Sequence, residues 1–353
     1  QMAVTITRTK KIERKAAEDM FLAAELEVME KMEDEVKESR PPLKIVWRNV
    51  GIFIALHLAA LLGAYQFVFE AKWQTCLWAT FLYIASGFGI TAGAHRMWAH
   101  KAFKASLPVR VYFMLWNCIA FQNDVIEWAR DHRCHHKWTD TEADPHNSRR
   151  GFWFSHVGWL CAKKSDKLKE MGAKIDLSDL YADPVLTFQR RSVTLTLYMN
   201  SSNHFFSFRH YYPLVALLCF LMPTVVPVYY WGESAFISFY VAAVFRYVFT
   251  LNCTWLINSA AHMFGYKPYD ATISPVESAW TNLMAVGEGG HNFHHSFPQD
   301  YRASELSYYT NWTRAVIDGM ATLGLVYDRK TVSDASIKSI IANKGDKTGH
   351  WHH

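Results

Sequence analysis

The chain has 353 residues, half of them hydrophobic, 15% aromatic and 20% charged, with 37 Lys and Arg against 32 Asp and Glu. That apolar and aromatic content excludes low-complexity disorder. A net charge of +5 spread over this length is no basic stripe, which excludes a nucleic-acid binder. Mean hydropathy is near neutral, at -0.06, because charge-free runs alternate with charge-rich stretches.

Residues 1–43 form a charged N-terminal segment, in which 12–39 reads as a solvated or membrane-surface helix stopped by Pro41-Pro42. Residues 1–42 are too charge-rich for a secretory signal. Two charge-free runs follow, Val50–Phe69 and Gln74–Ala94, separated only by Glu70–Trp73; residues 44–94 therefore read as a first transmembrane hairpin. Leu107–Phe121 is too short to span and is interrupted by Arg110 and Asn117, which suits an interfacial helix. Tyr211–Trp231, with three prolines, and Ala235–Ile257, with the single charge Arg246, make a second hairpin over 211–257. Buried helices of a soluble core are the alternative for any one run. Two tight pairs of spanning length argue against it.

Basic residues set the topology. Residues 95–210 hold 17 Lys and Arg, whereas the links at 70–73 and 232–234 hold one lysine between them. The N-terminus, the segments 95–210 and 258–330, and the tail 331–353 are thus expected on the cytosolic face, with both hairpins dipping into the membrane from that side. The expected fold is an all-α integral membrane protein, its four spanning helices capped by a helical cytosolic domain. Six scattered cysteines lack any CxxC pairing, which fits a reducing cytosolic face.

Three histidine clusters carry the chemistry: His95-x4-His100 at the cytosolic end of the second run, His132-x2-His135-His136, and His291-x2-His294-His295 after the last run. On a helix, positions i, i+3 and i+4 share a face, so each HxxHH is expected to aim three imidazoles at one point. His95 and His100 lie about 140° apart on an α-helix and are expected to reach a shared centre from a helix end. Asn258 and His262 add an i, i+4 pair at the same level. Neutral imidazole binds iron, zinc or copper. Nine histidines and an amide exceed the ligands of one zinc site, and suit two metal ions with positions left open. A histidine-rich metal transporter would need ligands inside the spans, where only His57 and Arg246 offer themselves. Glu288 and Asp131 flank the clusters and are candidate acceptors for the imidazole N–H groups.

The order HxxxxH, HxxHH, HxxHH around two hairpins resembles the membrane fatty-acid desaturases. The strings Gly89-Ile-Thr-Ala-Gly-Ala-His-Arg96, Glu127-Trp-Ala-Arg-Asp-His-Arg-Cys-His-His-Lys137 and Ala285-Val-Gly-Glu-Gly-Gly-His-Asn-Phe-His-His295 look like those of the acyl-CoA Δ9 (stearoyl-CoA) desaturases, over about Ile45 to Lys330. The resemblance implies an enzyme of the endoplasmic reticulum membrane with two Fe, O2 as co-substrate, and electrons from cytochrome b5 and its NAD(P)H-dependent reductase. It would place a cis double bond at C9–C10 of palmitoyl- or stearoyl-CoA. It also implies His95, His100, His132, His135, His136, His262, His291, His294 and His295 as metal ligands, with Asn258 acting through water. Gln122, Trp128 and Thr254 match the bend of the family's acyl tunnel, and Tyr83 and Gly87 its closed end. Asn49, Asn123, Arg130, Lys163 and Lys164 match contacts to the CoA head. A front-end desaturase would differ in the first histidine of the third cluster, and a sterol oxidase or hydroxylase would lack the bend residues. One departure stands out: Ser192–Arg209 is an apparent insertion before the third run, read either as an extra surface loop or as a disturbance of the CoA-side packing.

Overall fold

The computed structural model of the chain describes residues 41–199, 202–305 and 310–347. The helix expected over 12–39 therefore lies outside the described residues. Four long apolar helices dominate: α1 (Trp47–Phe69), α2 (Trp73–Ala99), α9 (Tyr211–Trp231) and α10 (Ala235–His262). Between α2 and α9 come α3 (Leu107–Ala120), α4 (Val125–Lys137), the short α5 (Phe152–His156), α6 (Asp166–Gly172) and α7 (Ser178–Ala182), and α8 (Pro184–Arg190). After α10 follow α11 (Ala279–Met284), α12 (His291–Ser296), α13 (Trp312–Thr322) and α14 (Asp334–Lys344). Two residues on each side pair antiparallel, β1 (Lys104–Ala105) with β4 (Val326–Tyr327).

The long helices have the length and composition to cross a bilayer, and their outward surfaces demand one. Ile54, Leu58, Leu61 and Val68 of α1 point away from the protein, Leu61 being 67% exposed. Water would not tolerate that much contiguous apolar surface. The two hairpin tips meet: Glu233 accepts from the Lys72 backbone N–H at 2.8 Å and the Thr75 hydroxyl at 2.7 Å. The Lys72 ammonium donates to the Trp231 and Gly232 carbonyls, each at 2.8 Å. Both links therefore lie at one end of the bundle, as the charge pattern requires.

Glycine lets the helices touch. A Cβ at Gly63 in α1 would sit 2.2 Å from the Tyr240 carbonyl of α10, and one at Gly89 in α2 would sit 2.4 Å from Trp116 and Asn117 of α3. Backbones can approach this closely only where no side chain intervenes. Leu107–Ala120 is the single short helix expected, ended by Phe121 at φ 48°.

Two segments differ from their expected form. Ser192–Arg209 is a β-hairpin rather than a loop: β2 (Ser192–Met199) runs antiparallel to β3 (Ser202–Arg209), in register from Ser192↔Arg209 to Met199↔Ser202. Its base is closed by the His210 N–H donating to the Arg191 carbonyl at 3.0 Å. Strand alternation in 192–199 and the matching length of 202–209 favour pairing of neighbours in sequence over an open loop. Within 331–353, read as a tail, α14 packs Ile337 against Tyr269, Phe293 and Phe297, behind the third histidine cluster.

Candidate metal centre

Local geometry explains why these histidines converge. Gly89–Ala99, the C-terminal end of α2, is wound as a π-helix, and the His100 N–H donates to the His95 carbonyl at 3.1 Å. An i→i+5 bond stacks residues five apart, so His95 and His100 share a face with ring centroids 4.9 Å apart. The α-helical angle that separates them in the sequence reading does not apply. Asp124 caps α4, accepting from the Glu127 N–H at 3.1 Å, and that helix carries the second cluster. The third rides on α12, where the Phe293 N–H donates to Glu277 at 2.8 Å. Burial raises the Glu277 carboxyl to about 8, so it stays neutral under that turn.

The rings gather into two groups. In the first, the ligand nitrogens of His95, His100, His132, His136 and His294 all lie within 4.8 Å of one another; in the second, those of His135, His262, His291 and His295 do the same. Nε2 atoms face each other at 2.7 Å between His100 and His132, at 2.9 Å between His95 and His294, and at 3.1 Å between His262 and His291. Here the expectation of three imidazoles per cluster at one point is corrected, because each HxxHH divides. Positions i and i+4 serve one group, and i+3 the other. On an α-helix i+3 and i+4 lie about 100° apart, so a helix wedged between two centres sends one ring to each side.

The surroundings fit a metal. Burial first, then the neighbouring imidazoles, hold His100, His132, His136, His291, His294 and His295 well below the ordinary histidine range, hence neutral and able to coordinate. His135 Nε2 is buried without a hydrogen-bond partner, while its Nδ1 sits 3.0 Å from both Asp144 oxygens. That is the carboxylate–histidine arrangement that orients a ring toward a cation. Burial opposes ionisation of Asp144, but the facing His135 outweighs it and keeps the carboxyl well below its usual range. Glu288 does the same for His95, its Oε2 3.0 Å from Nδ1, while its Oε1 receives Arg96 at 2.7 Å. Ser274 lies 2.9 Å from His262 Nδ1. Asp131, by contrast, orients no imidazole: it accepts from Arg130 at 2.8 Å and from Lys164 at 2.5 Å.

Asp144, Arg96, Ser274 and His146 escape a sequence reading. His146 is buried beside His135 and Asp144, yet has no box spacing. Only Asp144-Pro-His146, eight residues past the second cluster, could have drawn attention.

Two cavities meet at the histidines. One runs from His95, His132 and Asn258 to Tyr83 and Gly87, where the Tyr83 hydroxyl donates to the Met284 carbonyl. A Cβ at Gly87 would press on Val286 Cγ2 at 3.1 Å, so little room remains beyond it. The other is lined by Gln122, Asn123, Asp131 and Leu160. Trp128, His132, Thr254 and Asn258 line both. The Gln122 amide donates to the Thr254 hydroxyl at 2.9 Å at this junction. Asn49 donates to the Leu160 carbonyl at 2.8 Å, beside the second cavity. Arg130 and Lys164 are joined through Asp131 and, like the exposed Lys163, line neither of these two cavities.

Two groups of converging imidazoles at one end of a four-helix membrane bundle, lining a mostly apolar cavity, define a membrane oxidoreductase whose histidines fit a metal centre. The chain belongs to the fatty acid desaturase family: residues 71–327 match the fatty acid desaturase family model. It is 56% identical over 338 residues to the Delta(9)-fatty-acid desaturase fat-7 of Caenorhabditis elegans, covering 96% of this chain and 95% of that protein. It is 51% identical over 306 residues to the stearoyl-CoA desaturase of Homo sapiens, covering 87% and 80%.

Proposed function

We propose that this enzyme introduces a cis double bond between C9 and C10 of saturated long-chain acyl-CoA, palmitoyl or stearoyl. The observation that carries this reading is the mostly apolar cavity from Tyr83 and Gly87 that ends on histidines of both groups, His95 and His132 of one and His135 and His291 of the other. The printed names of the relatives, Delta(9) and stearoyl-CoA desaturases, support the position and the substrate class.

Two irons held by the nine histidines, with Asn258 acting through water, would supply with O2 and two electrons the oxidising power that side chains lack. The balance is two hydrogens removed from the chain, two electrons and two protons taken up, and O2 released as two waters. The residues do the rest. The cavity toward Tyr83 and Gly87 takes the methyl end and stops it, so chain length is measured from the closed end. Trp128 and the Gln122–Thr254 hydrogen bond hold the kink that turns one methylene pair toward the imidazoles and presets cis geometry. Apolar walls keep water from the oxidant. At the other mouth Asn49, Asn123, Arg130, Lys163 and Lys164 meet the CoA phosphates and adenine, where cations are the suitable partners. Electrons come from cytochrome b5 and its reductase, and the enzyme resides in the endoplasmic reticulum membrane with both termini cytosolic; the basic face at 95–210 supports both statements.

Expression of the full chain in yeast lacking its own Δ9 desaturase tests the reading. Gas chromatography with double-bond localisation is expected to find 16:1 and 18:1 fatty acids unsaturated at C9, absent with His132→Ala. Well-expressed protein without that product would overturn it.

A further inference from the structure

The one charged residue within α10, Arg246, has no part in the chemistry above. It is 2% exposed, at the depth of the apolar helices, and among the described residues no carboxylate pairs with it. An uncompensated cation at that depth is costly and persists where it does something. Its fork is spent on carbonyls of two other helices and of its own. Nη1 donates to Ile119 at 2.8 Å, Nη2 to Cys219 at 2.8 Å, and Nε to Ala242 at 3.2 Å. Ile119 belongs to the last turn of α3, whose carbonyl end favours a cation. Cys219 lies in the π-helical turn Ala216–Leu221 of α9, where the ordinary α-helical pairing is displaced.

The position of Ile119 gives these contacts their consequence. Two residues on, Phe121 ends the helix in the left-handed region, and its carbonyl receives the Tyr247 hydroxyl at 3.4 Å. The next residue is Gln122, whose amide reaches Thr254. From there the bonds run back along α10: the Thr254 hydroxyl donates to the Thr250 carbonyl at 3.1 Å, and the Thr250 hydroxyl donates to the Arg246 carbonyl at 2.8 Å. Arg246, Ile119, Gln122, Thr254 and Thr250 thus form a closed ring, one side of which is the wall of the cavity junction.

We propose that Arg246, seconded by Tyr247, is a positioning residue for regiochemistry. It clamps the end of α3 to α10, so that Gln122 meets Thr254 in a single register and one methylene pair alone is presented. This rests on the cavity from Tyr83 and Gly87 taking the acyl chain. Lysine does not reproduce the clamp, because the planar fork reaches the Ile119 and Cys219 carbonyls of two other helices from two separate nitrogens, whereas an ammonium is a single point charge on a flexible stem.

The test uses the full chain in the same yeast, with positional isomers quantified by mass spectrometry and each value normalised to membrane-inserted protein. Arg246→Lys is expected to raise the share of double bonds at positions other than C9 by about fivefold, the effect of losing roughly one net hydrogen bond at the bend. Gln122→Ala should shift the same isomers, and the double variant no further than Gln122→Ala alone, since both act through one junction. An Arg246→Lys protein that makes less product with an unchanged isomer ratio would overturn the proposal, because a merely structural arginine changes amount and not position. Where the arginine variants fail to accumulate, Tyr247→Phe decides: it removes only the Phe121 contact, and an unchanged ratio there is equally fatal. Wild-type protein that makes no C9 product would sink the functional reading itself. C9 product with unmoved variants would sink the clamp alone.

Discussion

His135 and His136 are neighbours in sequence, yet they turn to different centres, His136 to the group of His95 and His135 to that of His262. What fixes each ring is its other nitrogen. Asp144 holds His135 Nδ1 with both oxygens, buried and ionised, and so aims Nε2 at the second group. Asp144→Asn keeps the shape but loses the charge and can present a donor to Nδ1. It is expected to weaken metal binding at the second centre by about 10- to 100-fold. Metal analysis of the purified full chain should then fall from about two irons per chain toward one, the first centre being untouched. A ratio equal to wild type would remove Asp144 from the site. Sequence reading supplied the nine histidines because their spacing is regular. It missed Asp144, Ser274 and Arg96 because a supporting contact needs only proximity, which leaves no period. It also assigned Asp131 to an imidazole, when that carboxylate is occupied by Arg130 and Lys164.

At the scale of elements, π-helical winding is the device a periodicity argument does not see. It turns a spacing of five into a shared face for His95 and His100, and its register follows from the close contact of Gly89 and Gly93 with α3. The β2–β3 hairpin is the opposite case, an element that adds nothing to the site. Arg191 and His210 are already hydrogen-bonded across its base, so the chain on either side meets whether or not the hairpin is there. Deleting 192–209 is expected to leave the product spectrum unchanged and activity per inserted protein within about twofold, since loop length alters closure only slowly. Fatty-acid analysis of the deletion beside the full chain reads this directly. Loss of the C9 product would show that the hairpin supports the α8–α9 junction.

For the whole molecule, the charge distribution has one consequence beyond topology. Seventeen Lys and Arg lie in 95–210, on the side of the histidine groups, whereas at the hairpin tips the Lys72 ammonium is taken up by the Trp231 and Gly232 carbonyls and Glu233 by the Lys72 N–H and the Thr75 hydroxyl. A soluble acidic haem protein approaching that face would be steered by long-range attraction, which salt screens within about 10 Å at 0.1 M. Stopped-flow electron transfer from reduced cytochrome b5 to the detergent-solubilised full chain is expected to slow about tenfold between low salt and about 0.5 M. A salt-independent rate would assign the electron path elsewhere.

Sequence alone pointed to the four apolar helices of spanning length and to the nine histidines that the fold brings together. Bilayer length, charge asymmetry and imidazole spacing are local or additive properties, readable without coordinates. Tertiary structure alone decided how the rings divide between two groups, which carboxylates orient them, and which residues line the cavities beside them. Those depend on what residues far apart in the chain do to each other: Asn117 and Trp116 against Gly89, Asp144 beside His135, Arg246 holding Ile119. The physical reason is that coordination, second contacts and cavity shape are set by packing in three dimensions, where neighbours are chosen by volume and hydrogen-bond geometry rather than by separation along the chain.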